Sequence, residues 1–382
     1  MIPYGRQDIR QEDVDAVTEV LRSDFLTQGP AVPAFEAAVA EATGAAHAVA
    51  VNSATSALHI ACVALDLGPG DRLWTSPNTF VASANCARYC GATVDFVDID
   101  PVTANLCPDR LEDKLRAADG AGQLPKVIVP VHLTGLSCDM EAIGALARKY
   151  GIRVIEDASH AIGGRAGDRP VGACAHSDIT VFSFHPVKIV TSGEGGMAVT
   201  QEAGLANRMA RLRSHGITRD PKEMTHASDG PWYYQMVELG WNYRMTDVSA
   251  ALGRAQMARL GDYVARRGAL ADRYDRLLAD LPVTLPGRSE GVVSAWHLYV
   301  VRVEAARHRA IFEGLRNRGI GVNLHYIPVH LQPYYRARGF APGNFPEAER
   351  YYAEAISIPL FPTMTEAMQD EVVAALAAEL AA

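Results

Sequence analysis

Apolar positions in the first half of the chain alternate between short β-branched runs and longer stretches with helical spacing. The short runs predict buried strands at 48–51, 72–75, 93–97, 126–131, 152–157 and 179–184. The stretches between them predict helices at 31–43, 57–65, 77–90, 108–118 and 140–150. Strands and helices in this alternation predict an α/β fold with a mostly parallel, doubly wound sheet.

The two ends of the chain follow a different pattern. Residues 8–22 predict an amphipathic helix whose apolar side carries Ile9, Val14, Val17, Val20 and Leu21. One long helix is predicted at 247–279, and its arginines are expected to face solvent or another subunit: Arg254, Arg259, Arg266 and Arg267. Further elements are predicted in the C-terminal part: a strand at 293–303, a helix at 310–318, a strand or loop at 321–326, and helices at 348–356 and 366–380. We therefore expect a large domain over 1–250 and a smaller α+β domain over 251–382.

Charge and hydropathy exclude several classes of protein. The 382 residues include 36 Lys and Arg against 44 Asp and Glu, a net charge of −8, which argues against a general nucleic-acid binder. No apolar run approaches the ~20 residues of a membrane span, and the first residues lack the pattern of a signal peptide. We expect a cytoplasmic protein that binds neither nucleic acid nor membrane.

We interpret the cysteines as small core residues rather than as parts of a metal site or of a disulfide framework. The chain has six, at positions 62, 86, 90, 107, 138 and 174, and none forms a Cys-x-x-Cys pair. Several lie in apolar segments, as reduced cysteines of a cytoplasmic protein often do. The ligand spacing of a zinc site is missing, so no metal is expected.

Polar and aromatic residues that could bind a ligand or take part in a reaction directly follow several predicted strands. The turn from Asn52 to Ser56 follows one strand, Phe80 lies at the junction of another strand with its helix, and Asp157 ends a third. Pro186 breaks the strand at 179–184, and Lys188 follows at once. Because ligands bind at the carboxyl ends of strands in such sheets, these residues are expected at one edge.

Each of these residues has a functional and a structural interpretation. Ser53, Ala54 and Thr55 begin a helix, where free N–H groups bind phosphate, although Ser53 and Thr55 are also ordinary helix caps. Phe80 is suited either to stack on a planar ring or to fill a core. Lys188, beside apolar neighbours, is either a desolvated amine that forms a Schiff base or a lysine reaching from a loop to solvent.

Taken together, these residue types fit one cofactor, pyridoxal 5′-phosphate (PLP). PLP needs a lysine for its aldehyde, an acid for its pyridine nitrogen, a phosphate cradle and a stacking face. Lys188, Asp157 and Phe80 supply three of these, and Ser53 to Ser56 with Ser183 supply the cradle. His160 and His185 are candidates for assisting roles, or else structural histidines.

Four motifs carry a resemblance to a known family: Asn52-Ser-Ala-Thr-Ser-Ala-Leu58, Glu156-Asp-Ala-Ser-His160, Phe182-Ser-Phe-His-Pro-Val-Lys188 with Gly193-Glu-Gly-Gly196, and Gly240-Trp-Asn-Tyr-Arg-Met245. In this order they resemble the DegT-type nucleotide-sugar aminotransferases, which are fold type I, aspartate-aminotransferase-like enzymes. The resemblance implies a PLP-dependent aminotransferase with a mostly parallel seven-stranded sheet in its large domain.

The resemblance also implies roles for individual residues. Lys188 would form the covalent link to the cofactor, and Asp157 would hold the pyridine nitrogen, with His160 nearby. Ser183 and the backbone of Ala54 and Thr55 would hold the phosphate. Asn242 would reach it from the neighbouring subunit, which implies an obligate homodimer. Many relatives have Gly-Thr in place of Ala54-Thr55, and relatives that carry histidine in place of the lysine are dehydratases.

The subtype follows from His185-Pro-Val-Lys188 and from three segments: Ile2 to Arg6, Ser23 to Gly29 and Asn323 to Tyr335. They resemble the UDP-4-keto-sugar aminotransferase of pseudaminic acid biosynthesis. The implied reaction uses L-glutamate to aminate C4 of UDP-2-acetamido-2,6-dideoxy-β-L-arabino-hexos-4-ulose. The implied sugar contacts are Tyr4, Leu26, Thr27, Gln28, Gly29, His185, Asn323, Leu324, His325 and Tyr326.

Three alternatives remain open at this point. The enzyme could act at C3, or on another UDP, dTDP or GDP keto sugar. The chain could instead be a non-catalytic PLP-binding regulator, although it lacks an added DNA-binding domain or basic stretch. A plain α/β binding module without PLP is the third alternative.

Overall fold

The computed structural model describes residues 1–382 as a mixture of strands and helices. Its strands, in chain order, are β1 (His47–Val51), β2 (Arg72–Thr75), β3 (Thr93–Phe96), β4 (Val127–Val129), β5 (Arg153–Asp157), β6 (Arg165–Ala166), β7 (Arg169–Pro170), β8 (Ile179–Ser183), β9 (Gly196–Thr200), β10 (Ile217–Thr218), β11 (Gln235–Met236), β12 (Val292–Val293), β13 (Tyr299–Arg302) and β14 (Ala355–Ile358).

The α-helices, in the same order, are α1 (Gln11–Leu21), α2 (Ala31–Thr43), α3 (Ala54–Ala64), α4 (Ala82–Tyr89), α5 (Pro108–Gly120), α6 (Met140–Tyr150), α7 (Ala203–Leu212), α8 (Asp247–Met257), α9 (Leu260–Leu278), α10 (His308–Asn317), α11 (Pro333–Arg336), α12 (Pro346–Glu354) and α13 (Glu366–Ala381). The predictions for β2, α2 and α6 match the observed bounds, because each segment has a clear period and a turn residue at its end.

Seven strands form the central sheet in the order β1-β9-β8-β5-β4-β2-β3. Neighbours from β8 to β3 are parallel, and β9 pairs antiparallel with both β1 and β8. The predicted seven-stranded, mostly parallel sheet is therefore confirmed. Strand β9 itself was not predicted, because the glycines before it indicated only a turn.

Both faces of the sheet are buried under helices. Alternate residues of β4 illustrate this arrangement: Val127 and Val129 contact the core beneath α3, α4 and α7, whereas Ile128 contacts the core beneath α5 and α6. Another core lies between the sheet and helices α2 and α8. Parallel sheets are normally covered on both sides in this way, which leaves their ends as the accessible edges.

The C-terminal part builds a separate core around the pair β13 and β14, with residues from α9, α10 and α13. Strand β14 lies where the end of a helix was predicted, since α12 ends at Glu354. Ile2 belongs to this core, and its carbonyl accepts a hydrogen bond from the Gly321 N–H at 2.7 Å. The first residues of the chain are thereby held against the C-terminal part. The division into 1–250 and 251–382 stays a prediction.

The structure corrects two predictions about the segment 247–279, one on its continuity and one on the exposure of an arginine. The helix predicted at 247–279 is broken at Ala258 and Arg259 into α8 and α9. Arg267 is buried rather than solvent-facing, because its guanidinium donates to the carbonyl groups of Trp296, His297 and Leu360 at 3.0–3.3 Å.

Helix α1 also differs from its expected packing. Asp13 is its one buried residue and receives hydrogen bonds from the Arg259 guanidinium, of which the shorter is 2.6 Å. Ile9, Val14 and Leu21 remain 46–58% exposed. Val17 and Val20, on the same predicted side, are half-buried, so the apolar side of α1 is covered only in part. The buried ion pair of Asp13 with Arg259 adds to the anchoring of this helix.

Candidate active site

A cavity of about 440 Å³ opens at the carboxyl edge of the parallel strands. Twelve of the predicted site residues line it: Tyr4, Ser53, Ala54, Thr55, Phe80, Asp157, His160, Ser183, His185, Lys188, His325 and Tyr326. The N-terminus, several strand ends and the C-terminal part all contribute to it. The edge predicted from the strand pattern therefore does bring these residues together.

The start of α3 forms one end of the cavity. Ser53 caps the helix, with its hydroxyl oxygen accepting from the Ser56 N–H at 3.1 Å. Ala54 and Thr55 are the first residues of the helix, so their N–H groups have no carbonyl partner within it. The two interpretations of this turn are thus compatible, because Ser53 caps the helix while Ala54 and Thr55 leave donors for an anion.

Gly196, at the start of β9, lets the neighbouring hairpin approach this turn closely. A Cβ atom at this position would lie 2.4–2.5 Å from backbone atoms of Ser53 and Ala54. The approach also brings Ser183, at the end of β8, to the same part of the cavity. Glycine is required here for lack of space rather than for an unusual backbone conformation.

Asp157 is held in one orientation by hydroxyl groups on both sides. Its Oδ2 accepts from Ser83 Oγ at 2.6 Å, and its Oδ1 accepts from Ser159 Oγ at 2.6 Å and from the Ser159 N–H at 3.1 Å. The residue is buried and still borders the cavity. A carboxylate fixed in this way suits a permanent cationic partner such as a protonated ring nitrogen.

Lys188 lies in the loop between β8 and β9, which is closed at its base by backbone hydrogen bonds. Phe184 N–H donates to the Gly195 carbonyl at 2.9 Å, and Ser192 N–H donates to the Phe184 carbonyl at 3.0 Å. The Lys188 side chain is partly accessible through the cavity. Burial among protein atoms lowers the pKa of its amine to about 8, although the negative charge of Asp157 acts in the opposite direction.

The lowered pKa leads to a prediction about cofactor uptake. Only the neutral amine attacks an aldehyde, so the rate at which the apoprotein forms its covalent link with added PLP should rise with pH through about 8. In Asp157→Asn the midpoint should move lower, since the carboxylate favours the charged amine. Stopped-flow absorbance of the apoprotein would measure both midpoints, and a midpoint near that of an exposed lysine would contradict the prediction.

Phe80 offers an uncovered aromatic face to the cavity. The residue is 57% exposed and lies in the loop before α4, which begins at Ala82. Its ring centroid is 6.0 Å from that of Tyr326, across the cavity. An exposed phenylalanine is poorly placed for a core and well placed to stack on a planar ligand.

Three histidines enclose the rest of the cavity and are neutral at physiological pH. Burial lowers the pKa of His160 and of His297 well below its usual value, and the charge of Lys188 acts in the same direction. The same causes lower the pKa of His325 to about 3. His185, at the rim, is exposed and lies 4.0 Å from Glu194.

The structure adds residues that the sequence did not single out. Ser83 and Ser159 orient Asp157, and His297 lines the cavity with its ring centroid 4.4 Å from that of His160. His297 lies in an apolar run that predicted only a strand, so no signal distinguished it. Ser159 stood within a recognised motif, and its position two residues after Asp157 was the available clue.

Several predicted site residues lie outside this cavity. Asn323 and Leu324 are behind it, where the Asn323 N–H donates to the Ser357 carbonyl at 3.1 Å. Leu26 to Gly29 and Asn242 lie on an exposed face elsewhere in the chain. There Thr27 forms a β-bridge with Thr246, and the Gly29 N–H donates to Asp247 at 2.8 Å. A single chain therefore does not bring these residues to Lys188.

Comparison with known proteins decides the family. Residues 7–377 match the DegT/DnrJ/EryC1/StrS aminotransferase family. The chain belongs to this family. The spore coat polysaccharide biosynthesis protein SpsC of Bacillus subtilis is 39% identical over 98% of this chain and 96% of its own length.

Solved structures of similar proteins agree with this family over the whole chain. Helicobacter pylori PseC, an aminotransferase involved in the biosynthesis of pseudoaminic acid, is 29% identical with a TM-score of 0.91, over 100% of this chain and 99% of its own. The putative sugar aminotransferase Spr1654 from Streptococcus pneumoniae, in its PMP form, has the same identity, TM-score and coverage. Its PLP form has a TM-score of 0.89.

The protein is therefore a PLP-dependent sugar aminotransferase of the DegT/DnrJ/EryC1/StrS family with the fold of type I enzymes. The cavity residues fit the cofactor: free N–H groups at the start of α3, an oriented carboxylate, an uncovered aromatic ring and an amine of lowered pKa. The substrates of this activity are a nucleotide keto sugar and an amino donor. None of the helices combines the length and apolar character needed to cross a membrane.

Proposed function

We propose that this aminotransferase moves the amino group of L-glutamate to C4 of UDP-2-acetamido-2,6-dideoxy-β-L-arabino-hexos-4-ulose, for pseudaminic acid or a related surface glycan. We propose further that it works as a cytoplasmic homodimer in which Asn242 completes the cofactor site of the neighbouring subunit. The observation that carries the substrate assignment is the match to PseC over 100% of the chain. The similarity to the polysaccharide biosynthesis protein SpsC supports a role in a surface glycan.

Two of the three segments that suggested this sugar, the N-terminal one and the one before Tyr335, reach the same cavity as Lys188. Tyr4, from the N-terminal segment, packs against His325 with ring centroids 5.6 Å apart, and both line the cavity beside Tyr326. His185 stands at the rim on the loop that carries Lys188. A sugar bound among these residues would present its keto carbon towards the lysine amine.

The residues of the chain have separate tasks in this reaction. Bound PLP supplies an electron sink for the carbon that loses or gains a proton. Asp157 would maintain the charge of the ring nitrogen, and the start of α3 with Ser183 would hold the phosphate. The Lys188 amine, with its pKa near 8, accepts a proton from Cα of glutamate and later delivers one to the sugar carbon. Phe80 would supply the aromatic face on which the planar ring stacks.

A panel of keto sugars tests the assignment. The holoenzyme would be incubated with L-glutamate and, separately, with UDP-, dTDP- and GDP-linked 3-keto and 4-keto 6-deoxy sugars. We expect turnover to be fastest with the UDP-4-keto-6-deoxy-N-acetylhexosamine, with NMR placing the new amine on C4. A faster reaction at C3, or with a dTDP or GDP sugar, would replace this assignment with another member of the same class.

The exposed face around Asn242 supports the homodimer. Large apolar side chains are left uncovered just before Asn242 in the chain: Trp232, Tyr234, Met236 and Leu239 are 50–73% exposed. The Leu26 to Gly29 segment is fixed on the same side through Asp247, whose N–H donates to the Leu26 carbonyl at 2.9 Å. Phe25 and Leu26 add further exposed apolar surface. Such surface on a folded chain is typical of a subunit interface.

The interface also explains the site residues that lie outside the cavity. The Asn52 N–H donates to the Tyr243 carbonyl at 2.8 Å, which holds the neighbouring residue Asn242 beside the end of β1. Asn242 itself is exposed to solvent in the single chain. If the two-fold axis of the dimer passes close to this surface, Asn242 of one chain would enter the site of the other. Leu26 to Gly29 would then contact the sugar bound by the neighbouring subunit.

Hybrid dimers give a direct test of this exchange. Lys188→Ala and Asn242→Ala chains would each be weakly active as homodimers. Refolded together, they would form hybrids in which one site has both native residues, so about a quarter of all sites should be active. Activity of the mixture would be compared with the two separate preparations. A mixture no more active than their average would show that Asn242 serves its own chain.

A further inference from the structure

Three of the six cysteines lie together between α3 and α4, outside the cavity that contains Lys188. Cys62 is on α3, Cys86 is on α4, and Cys90 directly follows α4 as its C-cap residue. Cys62 and Cys86 belong to the core beneath these helices, and Cys90 packs against the same core. No spacing in the sequence indicated this group, because it results from the packing of α3 against α4.

Cys62 contacts both of the other cysteines. Its sulfur is within hydrogen-bond reach of the sulfur atoms of Cys86 and Cys90. The Cys86 thiol also donates to the carbonyl of Ser83 at 3.2 Å, so its hydrogen is engaged within its own helix. Cys90 is partly exposed, whereas Cys62 and Cys86 are buried. A small reagent from solvent therefore meets Cys90 first, with Cys62 directly behind it.

A histidine completes the group. His59, one turn before Cys62 on α3, is within hydrogen-bond reach of the Cys90 sulfur. Its Nδ1 lies 3.2 Å from the Tyr243 hydroxyl oxygen, and its ring packs against Trp241 with centroids 4.4 Å apart. The side chains of the group are not arranged as ligands of a metal ion. The group thus combines a partly exposed thiol with a fixed imidazole and a buried second thiol.

The neighbours of Cys90 favour its thiolate. The hydrogen bond from Cys62 lowers the pKa of the Cys90 thiol to about 6, and His59 acts in the same direction, whereas burial opposes them. Hydrogen bonds with the sulfur atoms of Cys86 and Cys90, together with burial, raise the pKa of Cys62 well above its usual value. At neutral pH one sulfur is thus nucleophilic, while the sulfur beside it keeps its proton.

We propose that Cys90 is an oxidation site for hydroperoxides and that Cys62 resolves it as an intramolecular disulfide. With hydrogen peroxide, the Cys90 thiolate attacks one oxygen: an S–O bond forms, the O–O bond breaks, and the departing hydroxide takes a proton from solvent to become water. The Cys62 sulfur then attacks the resulting sulfenic acid. The S–S bond forms, the S–O bond breaks, and the hydroxyl group leaves with the Cys62 proton as a second water. Two thiols lose two electrons, and the peroxide gains them.

The contact between the two sulfur atoms determines the outcome of the oxidation. A sulfenic acid without a neighbouring thiol can be oxidised further to the sulfinic acid, which a thiol reductant does not reverse. Because Cys62 already touches Cys90, the two atoms need only approach to the disulfide length of about 2.0 Å. We therefore expect a reversible cross-link between α3 and α4 instead of irreversible oxidation.

Peroxide treatment of the holoenzyme tests the proposal. The reaction would be stopped by alkylation of the remaining thiols and followed by intact mass and peptide mapping. We expect the mass of the chain to fall by two hydrogen atoms, and the map to show a peptide that links Cys62 to Cys90. A thiol reductant should restore both thiols. The cofactor absorption band should persist throughout, since the link is outside the cavity.

Matched variants separate the two roles. Cys62→Ser keeps a hydrogen-bond donor beside Cys90 but cannot form a disulfide, so Cys90 should gain two or three oxygen atoms irreversibly. In Cys90→Ser, no disulfide should form and Cys62 should stay reduced at the same peroxide dose. Cys107→Ser is the control, because Cys107 is also partly exposed but precedes α5. It should form the same disulfide as the wild type.

Several results would overturn the inference. An unchanged mass of the wild-type chain would show that peroxide does not reach Cys90 in the assembled protein. Irreversible oxygen gain at wild-type Cys90, or a link from Cys62 to Cys86, would remove the proposed pairing. Loss of the cofactor band before the link forms would show that the thiols react only in an unfolded chain. Thermal unfolding would verify the variants, and the wild-type peptide map decides the pairing without them. None of these outcomes depends on the sugar that the enzyme uses.

Discussion

Replacing Lys188 by alanine is expected to reduce transamination by about 10⁴-fold, the upper end of what a general acid–base group contributes. The substitution removes both the covalent link to PLP and the amine that moves the proton. The wild-type protein should show a near-visible absorption band that borohydride abolishes, and the variant should lack this link. Spectra and rates of both half-reactions would be measured on the same preparations.

Lys149→Ala is the matched control for this change. Lys149 lies on α6 with 58% of its side chain exposed and is not among the cavity residues. It should keep wild-type spectra and rates. PLP bound noncovalently by Lys188→Ala is compatible with the prediction, because the phosphate site and Asp157 remain. Substantial turnover by Lys188→Ala would show that another base carries the proton.

Asp157→Asn is expected to lower the rate of both half-reactions by about 10³-fold, comparable to the loss of a preorganised charge at a reacting centre. Without the carboxylate, the pyridine nitrogen loses the partner that keeps it protonated. Asparagine has nearly the same size, and its amide oxygen can still accept from Ser159, while its amide nitrogen can donate to Ser83 Oγ in place of accepting from it. The covalent link through Lys188 should still form, which separates this defect from loss of the cofactor.

Asp113→Asn provides the comparison at an exposed carboxylate. The side chain of Asp113 is 76% exposed on α5. We expect no change in its rates or spectra. Equal rates for Asp157→Asn and the wild type would mean that the carboxylate only supports the local structure. If Asp157→Asn no longer bound PLP, the carboxylate of Asp157 would have a role in cofactor binding rather than in catalysis.

Most of the large sheet could be predicted from local patterns. Strands such as β4 and β8 are short, mostly β-branched and apolar runs ended by polar or turn residues, a pattern typical of buried strands in parallel sheets. Lys188 and Asp157 could be placed at one edge because topology brings the carboxyl ends of parallel strands together. Other cavity residues, such as Ser53 and Phe80, could be predicted because they directly follow further strands that end at the same edge.

Elements that depend on distant contacts were not predictable in the same way. Strand β9 pairs with the distant strand β1 as well as with β8, and Gly196 leaves the space for the turn at Ser53, contacts that no local pattern indicates. Arg267 has the sequence context of a surface residue and is buried because three distant carbonyl groups accept its hydrogens. His297 belongs to the cavity through the packing of the C-terminal part on the turn at Gly135.

The closed loop between β8 and β9 has a consequence for how such enzymes can diversify. Phe184 and Gly195 pin its two ends together, and the loop carries both Lys188 and the rim residue His185. The loop cannot change throughout, because Ile189 and Val190 belong to the core between the sheet and helices α2 and α8. Specificity can therefore be altered at exposed rim positions such as His185, while Lys188 and the buried part of the loop are retained.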